Sequence, residues 1–262
     1  MKYHHGLHFD YPNDIHGHMI SPEQVRDESL DGNFPFYSTS KKLRFKQCLM
    51  QLLFLILVFP VNYFRYGLKT IGRYNLKKYK KEYKGGFITI CNHVFEWDYI
   101  CIRSAMRPKR GYMTIWKNNH NSSLGKTMRV VGSIPIPDKN NIDGFVAFNK
   151  SVCDALNDDR MVHFYPEGSM WYFYEGLREF LPGAFHYAVM CNKPVFPLAI
   201  SYRPPKGIFK LWKRKGAPCV TIEIGKPIFP NTEISKQEAI KEMSDKSYSE
   251  IKRMMEKNTP NL

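Results

Sequence analysis

The sequence has no C-x-x-C pair, no internal repeat, no Gly/Ser-rich linker and no fully apolar run of the roughly 20 residues that a bilayer core requires. Each absence narrows the reading. The six cysteines, at 48, 91, 101, 153, 191 and 219, are scattered and sit mainly in apolar runs, so reduced core thiols in a cytosolic compartment are expected. The first 40 residues contain no apolar core of a signal peptide, and export is not expected. His4, His5, His8, His16 and His18 share no fixed ligand spacing, so no metal is expected. Acidic residues are scarce: 24 Asp and Glu stand against 39 Lys and Arg, a net charge of +15. That surplus favours a polyanionic partner, either nucleic acid or anionic lipid. No zinc-finger spacing, RRM signature or other nucleic-acid module is present, which makes a basic nucleic-acid-binding protein the weaker alternative and leaves no nucleic acid among the expected partners.

What is present begins with residues 41–84. Residues 49–61 are almost wholly apolar, broken only by Gln51 and Pro60, and are too short to span. Lys41, Lys42, Arg44 and Lys46 precede them; Arg65, Lys69, Arg73, Lys77, Lys78, Lys80 and Lys81 follow. A spanning helix concentrates positive charge on one side, so this symmetry predicts a segment that dips into one leaflet and returns. Tyr63, Phe64, Tyr66 and Tyr74 interleave with the cations, as at a headgroup interface.

From Gly85 onward strand and helix patterns alternate. Strands are expected at 87–91, 112–116, 133–136, 161–165 and 195–202. Helices are expected at 97–106, near 123–131 with Gly132 ending it, through Phe145, Phe148, Val152 and Leu156, and at 183–191. Residues 219–224 alternate like a more exposed strand. This is an α/β class: a largely parallel central sheet flanked by helices, preceded by an N-terminal membrane-binding helical segment. Sites then belong at strand ends. Four stretches are distinguished: 1–40, a polar N-terminal extension; 41–84, basic and apolar membrane-association helices; 85–230, the α/β domain; 231–262, a C-terminal amphipathic helix packed on it and opened by the capping box Ser235-x-x-Glu238.

The chemistry-bearing segment is Asn92-His93-Val94-Phe95-Glu96-Trp97-Asp98, directly after the first of these strands. An imidazole takes a proton from a hydroxyl, and a carboxylate on its other nitrogen fixes the tautomer and favours the imidazolium. Five residues of continuous helix would rotate about 500°, about 140° net, and separate the two side chains. They meet if His93 lies in the turn leaving the strand and Asp98 in the first turn of the next helix. Downstream, in order, come Gly132-Ser133-Ile134-Pro135-Ile136-Pro137-Asp138-Lys139, Phe164-Tyr165-Pro166-Glu167-Gly168-Ser169 and Lys193-Pro194-Val195-Phe196-Pro197-Leu198-Ala199-Ile200.

On these four segments, across about residues 45–230, the chain resembles the glycerolipid acyltransferase superfamily typified by bacterial 1-acyl-glycerol-3-phosphate acyltransferase. Its blocks read N-H-x-x-x-x-D, G-x-I-P-V-x-R, F-P-E-G-T-R-S and V-P-V-x-P-V. The resemblance implies a membrane-associated O-acyltransferase that moves a fatty acyl group from a coenzyme A or acyl carrier protein thioester to a glycerolipid hydroxyl, without a cofactor. It makes His93 the base and Asp98 its orienter. Glu167, Gly168 and Ser169 would bind the acceptor, and Gly132 and Gly168 are the backbone candidates for the oxyanion. The family's two phosphate-clamping arginines are missing: Asp138 and Met170 stand at their positions, with Lys117, Lys139 or Arg178 as substitutes. The expected acceptor is 1-acyl-sn-glycerol-3-phosphate; the alternative is a lysophospholipid or glycolipid without a phosphate monoester. The expected location is peripheral, on anionic lipid at the cytoplasmic face of the cell membrane.

Overall fold

The computed structural model describes residues 8–109, 111–213 and 217–259; His4 and His5 lie outside them. The chain first forms one unbroken helical rod: α1 (Lys41–Leu53), a π-turn (Phe54–Val58) and α2 (Phe59–Tyr66). Ser40 caps it, its Oγ accepting from Leu43 N–H, and Gly67 in the left-handed region ends it. The expected dip and return is therefore not formed. Nothing between 41 and 66 turns the chain, and Pro60, which in an α-helix would press on the carbonyl of residue 56, is absorbed by the wider π-turn closed from Phe59 N–H to Phe54 O.

Then follow β1 (Lys69–Ile71), α3 (Tyr74–Lys78), β2 (Phe87–Cys91), α4 (Asp98–Met106), β3 (Gly111–Trp116), α5 (Lys117–Asn121), α6 (Gly125–Val131) and β4 (Ser133–Ile136). The chain continues through α7 (Ile142–Asn157), β5 (Met161–Phe164), α8 (Gly183–Met190), β6 (Val195–Arg203), α9 (Ile208–Trp212), β7 (Cys219–Ile224) and α10 (Lys236–Asn258). Among the described residues these strands form one sheet in the order β1-β7-β6-β2-β5-β3-β4, parallel throughout except for β6 against β7. The expected α/β architecture is the one observed.

β2 lies at the centre and is buried on both faces, which is why its sequence is continuously apolar rather than alternating. The period of two divides it: Ile88 and Ile90 join an apolar layer with Phe148, Phe185 and Met254, while Phe87 and Cys91 join Ile102 and Phe196 on the other side. The parallel arrangement brings the C-terminal ends of β2, β5, β3 and β4 to one edge.

Four expectations are corrected. β1 pairs with β7, so the sheet begins inside the stretch 41–84 that was assigned wholly to membrane-association helices. β7 is buried along its whole length, not half exposed: β1 covers its edge, and its polar Glu223 is taken up by Lys257 (3.0 Å) and Asn258 of α10. Residues 1–40 are more than a polar extension, because Leu30 and Phe36 are buried in the core beside Phe148. Cys153 and Cys191 form a disulfide, Cα atoms 6.0 Å apart, where reduced thiols were expected. Helical patterning placed each cysteine in its own element, and only the packing of α7 against the end of α8 brings them together.

Candidate active site

His93 stands in the loop leaving β2, and Asp98 is the first residue of α4. Asn92 fixes the end of the strand: its side chain donates to Ile200 O (3.0 Å) and accepts from Ile200 N–H (2.8 Å), continuing the β2–β6 ladder by one more residue. His93 Nδ1 donates to Asp98 Oδ2 at 2.7 Å, which leaves the ring's lone pair on Nε2. The histidine side chain is 22 % exposed and the aspartate 1 %. A buried carboxylate needs other donors. Val94 N–H supplies one at 3.0 Å, the Tyr165 hydroxyl donates to Oδ1, and the N-terminus of α4 favours the negative charge.

Tyr165 has a second role. Its ring stacks on the His93 imidazole, centroids 3.7 Å apart and planes 10° apart, so the ring that braces the aspartate also sets the plane of the imidazole. Burial and the neighbouring Asp98 push the Tyr165 phenol well above its ordinary value, and it stays a neutral donor. Tyr165→Phe keeps the stack and removes the hydrogen bond to a charged group, a contribution of about 1.5–3 kcal/mol. The expected result is a kcat lower by about tenfold or more with KM little changed; an unchanged kcat would remove Tyr165 from the positioning network.

The main chain of His93 is held as firmly. Its N–H donates to Glu167 Oε2 (3.0 Å) and its carbonyl accepts from Trp171 N–H (3.1 Å). Glu167 is buried, and its other oxygen accepts from Arg178 N–H (3.0 Å), while Arg178 Nη2 donates to Oε2 (3.0 Å). Burial pushes the Glu167 carboxyl upward against the opposing pull of Arg178. Arg178 also donates from Nη1 to Ser169 Oγ (2.7 Å) and lies over the Trp171 ring at 4.5 Å.

The residues that the resemblance assigned to the acceptor are therefore placed differently from one another. Glu167 and Ser169 are buried and committed to Arg178 and to the His93 main chain, which makes them a frame for the His93 loop. Gly168, with φ of +79°, has its N–H donated to Tyr165 O (3.1 Å), and a Cβ there would meet Leu181 at 2.7 Å. Gly132 is corrected as an oxyanion candidate: its N–H closes α6 onto Met128 O (3.0 Å), and it precedes β4, at the end of the sheet opposite to His93. Lys117 and Lys139 are at the same edge as His93, but Lys117 Nζ is paired with Asp138 Oδ2 at 2.7 Å; Lys139 is exposed. The free arginine substitute is lost too, since Arg178 is 2 % exposed.

Sequence reasoning missed Tyr165, Trp171 and the frame role of Arg178. It also missed that residues 9–19 cross this loop. Phe9 stacks on Tyr172 (5.4 Å) and Tyr11 on Trp171 (5.1 Å); Ile15 O accepts from Arg178 Nη1 (2.9 Å), Gly17 O accepts from Trp171 Nε1 (2.9 Å), and His16 Nδ1 donates to Glu167 O (3.0 Å). His18 stacks on Trp116 at 4.0 Å, at the end of β3, and burial together with His93 and Arg178 lowers its pKa. The signal was there as the aromatic spacing Phe9-x-Tyr11, matching Trp171-Tyr172-Phe173-Tyr174.

Below Tyr165, His163 Nδ1 meets Thr89 Oγ1 at 2.9 Å and the Tyr165 ring edge-on at 4.4 Å. Burial lowers its pKa from 6.5 to about 3. The folded state thus binds fewer protons than the unfolded chain between those two values, and stability is lost as pH falls through that window, by up to roughly 1.4 kcal/mol per pH unit. Urea midpoints are expected to fall with acid in this range, and His163→Phe to flatten the slope; an equal slope in the variant would assign the acid sensitivity elsewhere.

Residues 68–201 match the protein-family model described as Acyltransferase. No curated protein matches the chain. Among solved structures, the crystal structure of the 1-acyl-sn-glycerophosphate (LPA) acyltransferase PlsC from Thermotoga maritima is similar in fold, with 16% sequence identity, a TM-score of 0.52 and 86% of each chain covered.

Proposed function

We propose, because this chain belongs to the acyltransferase family, that it transfers a fatty acyl group from a coenzyme A or acyl carrier protein thioester to a hydroxyl of a glycerolipid acceptor. His93 Nε2 takes the proton as the acceptor oxygen attacks the thioester carbonyl carbon. The tetrahedral intermediate collapses with cleavage of the C–S bond, and the proton passes from the imidazolium to the departing thiolate. No acyl-enzyme and no cofactor is needed, so donor and acceptor are held together and positioning supplies much of the rate. The observation that carries this reading is the 2.7 Å contact of His93 Nδ1 with a buried Asp98.

A mostly apolar cavity of about 680 Å³ lies beside Phe95, two residues past His93, and is lined by Val61, Phe64, Phe173 and Val220 together with the cations Arg65 and Lys213. Its lining suits a fatty acyl chain. Membrane association is supported by the 26-residue rod 41–66, long and apolar enough by length and composition to cross a membrane. Its polar side is tied to the domain: Gln47 accepts from the Tyr112 hydroxyl (2.9 Å) and Gln51 from Arg103. Leu49, Leu52, Leu55, Ile56 and Leu57 remain exposed along the other sides. A rod bound lengthwise to its own domain suits the interface plane, so we read it as a peripheral anchor in one anionic leaflet, on the cytoplasmic face.

The acceptor is 1-acyl-sn-glycerol-3-phosphate in the first reading. A second is favoured by specific contacts: Arg178 is buried against Glu167 and Lys117 is neutralised by Asp138, so neither forms an open clamp for a phosphate monoester. Such a site suits a lysophospholipid or a glycolipid. Purified protein in vesicles with labelled acyl donor and a panel of lysolipids tests both. Transfer to several head groups supports the second reading, strict dependence on the phosphate monoester returns it to the first, and absence of transfer to any glycerolipid overturns the proposal.

A further inference from the structure

The α9 helix, in the connection between the antiparallel strands β6 and β7, has an unusual surface. Phe209 packs inward, its ring 5.7 Å from Tyr63 and against Gly67, at the end of α2. That contact seats α9 beside the apolar rod. Ile208 and Leu211, three apart and thus on one side of the helix, are 61% and 90% exposed. Lys206 and Lys210 are exposed next to them, whereas Lys213 turns back to donate to Pro218 O. An outward leucine that gives up nearly all of its surface to water beside two outward ammonium groups has no role in a soluble core. It matches the composition of an element lying at a lipid headgroup boundary, apolar side chains inward and lysines on the phosphates.

We propose that α9 is a second membrane-contact element, with Ile208 and Leu211 inserted into the same anionic leaflet that receives the rod 41–66, and Lys206 and Lys210 on its headgroups. This rests on the reading of the protein as membrane-associated. Its consequence is geometric. One rod alone leaves the domain free to roll about the rod's axis; a second contact, displaced from that axis by the β6–β7 connection, fixes the roll and so the angle at which the cavity beside Phe95 meets the lipid.

Flotation of the full chain with vesicles of phosphatidylcholine plus phosphatidylglycerol, and with phosphatidylcholine alone, tests it. The double variant Ile208→Asp with Leu211→Asp is expected to melt as the wild type, both sites being exposed, and to partition about tenfold or more weakly. Lys206→Ala with Lys210→Ala is expected to weaken binding on the anionic vesicles and not on the neutral ones. Rod variants Leu52→Asp with Ile56→Asp serve as the reference. If they lose binding while the α9 variants bind as the wild type does, α9 is overturned and the membrane reading stands. If the wild type binds neither vesicle, both are overturned. A variant of α9 that binds vesicles normally but raises KM for an acyl carrier protein donor would assign the surface to an acidic protein instead and overturn the proposal.

Discussion

His93→Ala is expected to lower kcat/KM for acyl transfer by about 10³-fold or more, the range of a positioned general base, while the protein stays folded. The second half of that statement follows from how the residue is held. The main-chain bonds from His93 N–H to Glu167 and from Trp171 N–H to the His93 carbonyl are kept in alanine. Asp98 loses one of its partners but retains Val94 N–H and the Tyr165 hydroxyl. The side chain is partly exposed, so no large cavity is opened. Loss of the ring's stacking on Tyr165 and of the charge-assisted bond together cost about 2–4.5 kcal/mol. Asp98→Asn is the informative companion. Its amide can no longer stabilise an imidazolium, so activity falls by a similar factor, yet the aspartate's place at the start of α4 under Tyr165 makes it the more destabilising change of the two. Turnover by His93→Ala within tenfold of the wild type, in protein shown to be folded by its melting curve, would end the assignment of His93 as base.

How far such a site can be read from sequence depends on which interactions are local. The approach of His93 to Asp98 is local: an apolar strand, a short loop and a helix start constrain five residues, and those two side chains have few ways to sit other than together. The central strands β2, β5 and β6 are legible for the same reason, as runs too apolar to be anything but buried on both faces. β1 is three residues of ordinary polarity, and only its register with β7 makes it a strand. β7 read as exposed because Thr221 and Glu223 are polar; α10, which satisfies Glu223, arrives from more than 30 residues away. Arg178 is the clearest case. It lies 11 residues beyond Glu167 in a stretch without helix or strand periodicity, and the motif reading treated it as a free cation rather than as the partner of the motif's own glutamate. The strap 9–19 is legible only in part: Phe9 and Tyr11 carry an aromatic spacing, whereas Ile15 and Gly17 bond to the loop through main-chain carbonyls, which carry no signature in residue type.

That hidden pair gives the second large effect. Arg178→Met is expected to destabilise the fold by about 3–5 kcal/mol, because it removes the charge partner of a carboxylate that is 1 % exposed. The loss is not confined to one contact. The guanidinium ties three parts of the chain together: Glu167, which holds the His93 main chain; Ser169, which shapes the turn after β5; and Ile15 O in the strap. Without it Glu167 keeps two main-chain donors but must remain ionised in an apolar setting or take up a proton, and burial already pushes its carboxyl upward. The same argument fixes the sign of the double variant. Glu167→Gln with Arg178→Met has no buried charge left, its carboxamide oxygen can still accept from His93 N–H, and methionine fills the space over Trp171. Its loss of stability is expected to be smaller than the sum of the single losses by about 1–3 kcal/mol. Urea unfolding of the four proteins measures that coupling directly, and activity separates the frame from the base: the double variant, with His93 and Asp98 intact, should recover turnover in proportion to how well His93 N–H is still held. Additive losses would mean that Arg178 and Glu167 act independently, and that the hold on His93 lies in Trp171 and the loop alone.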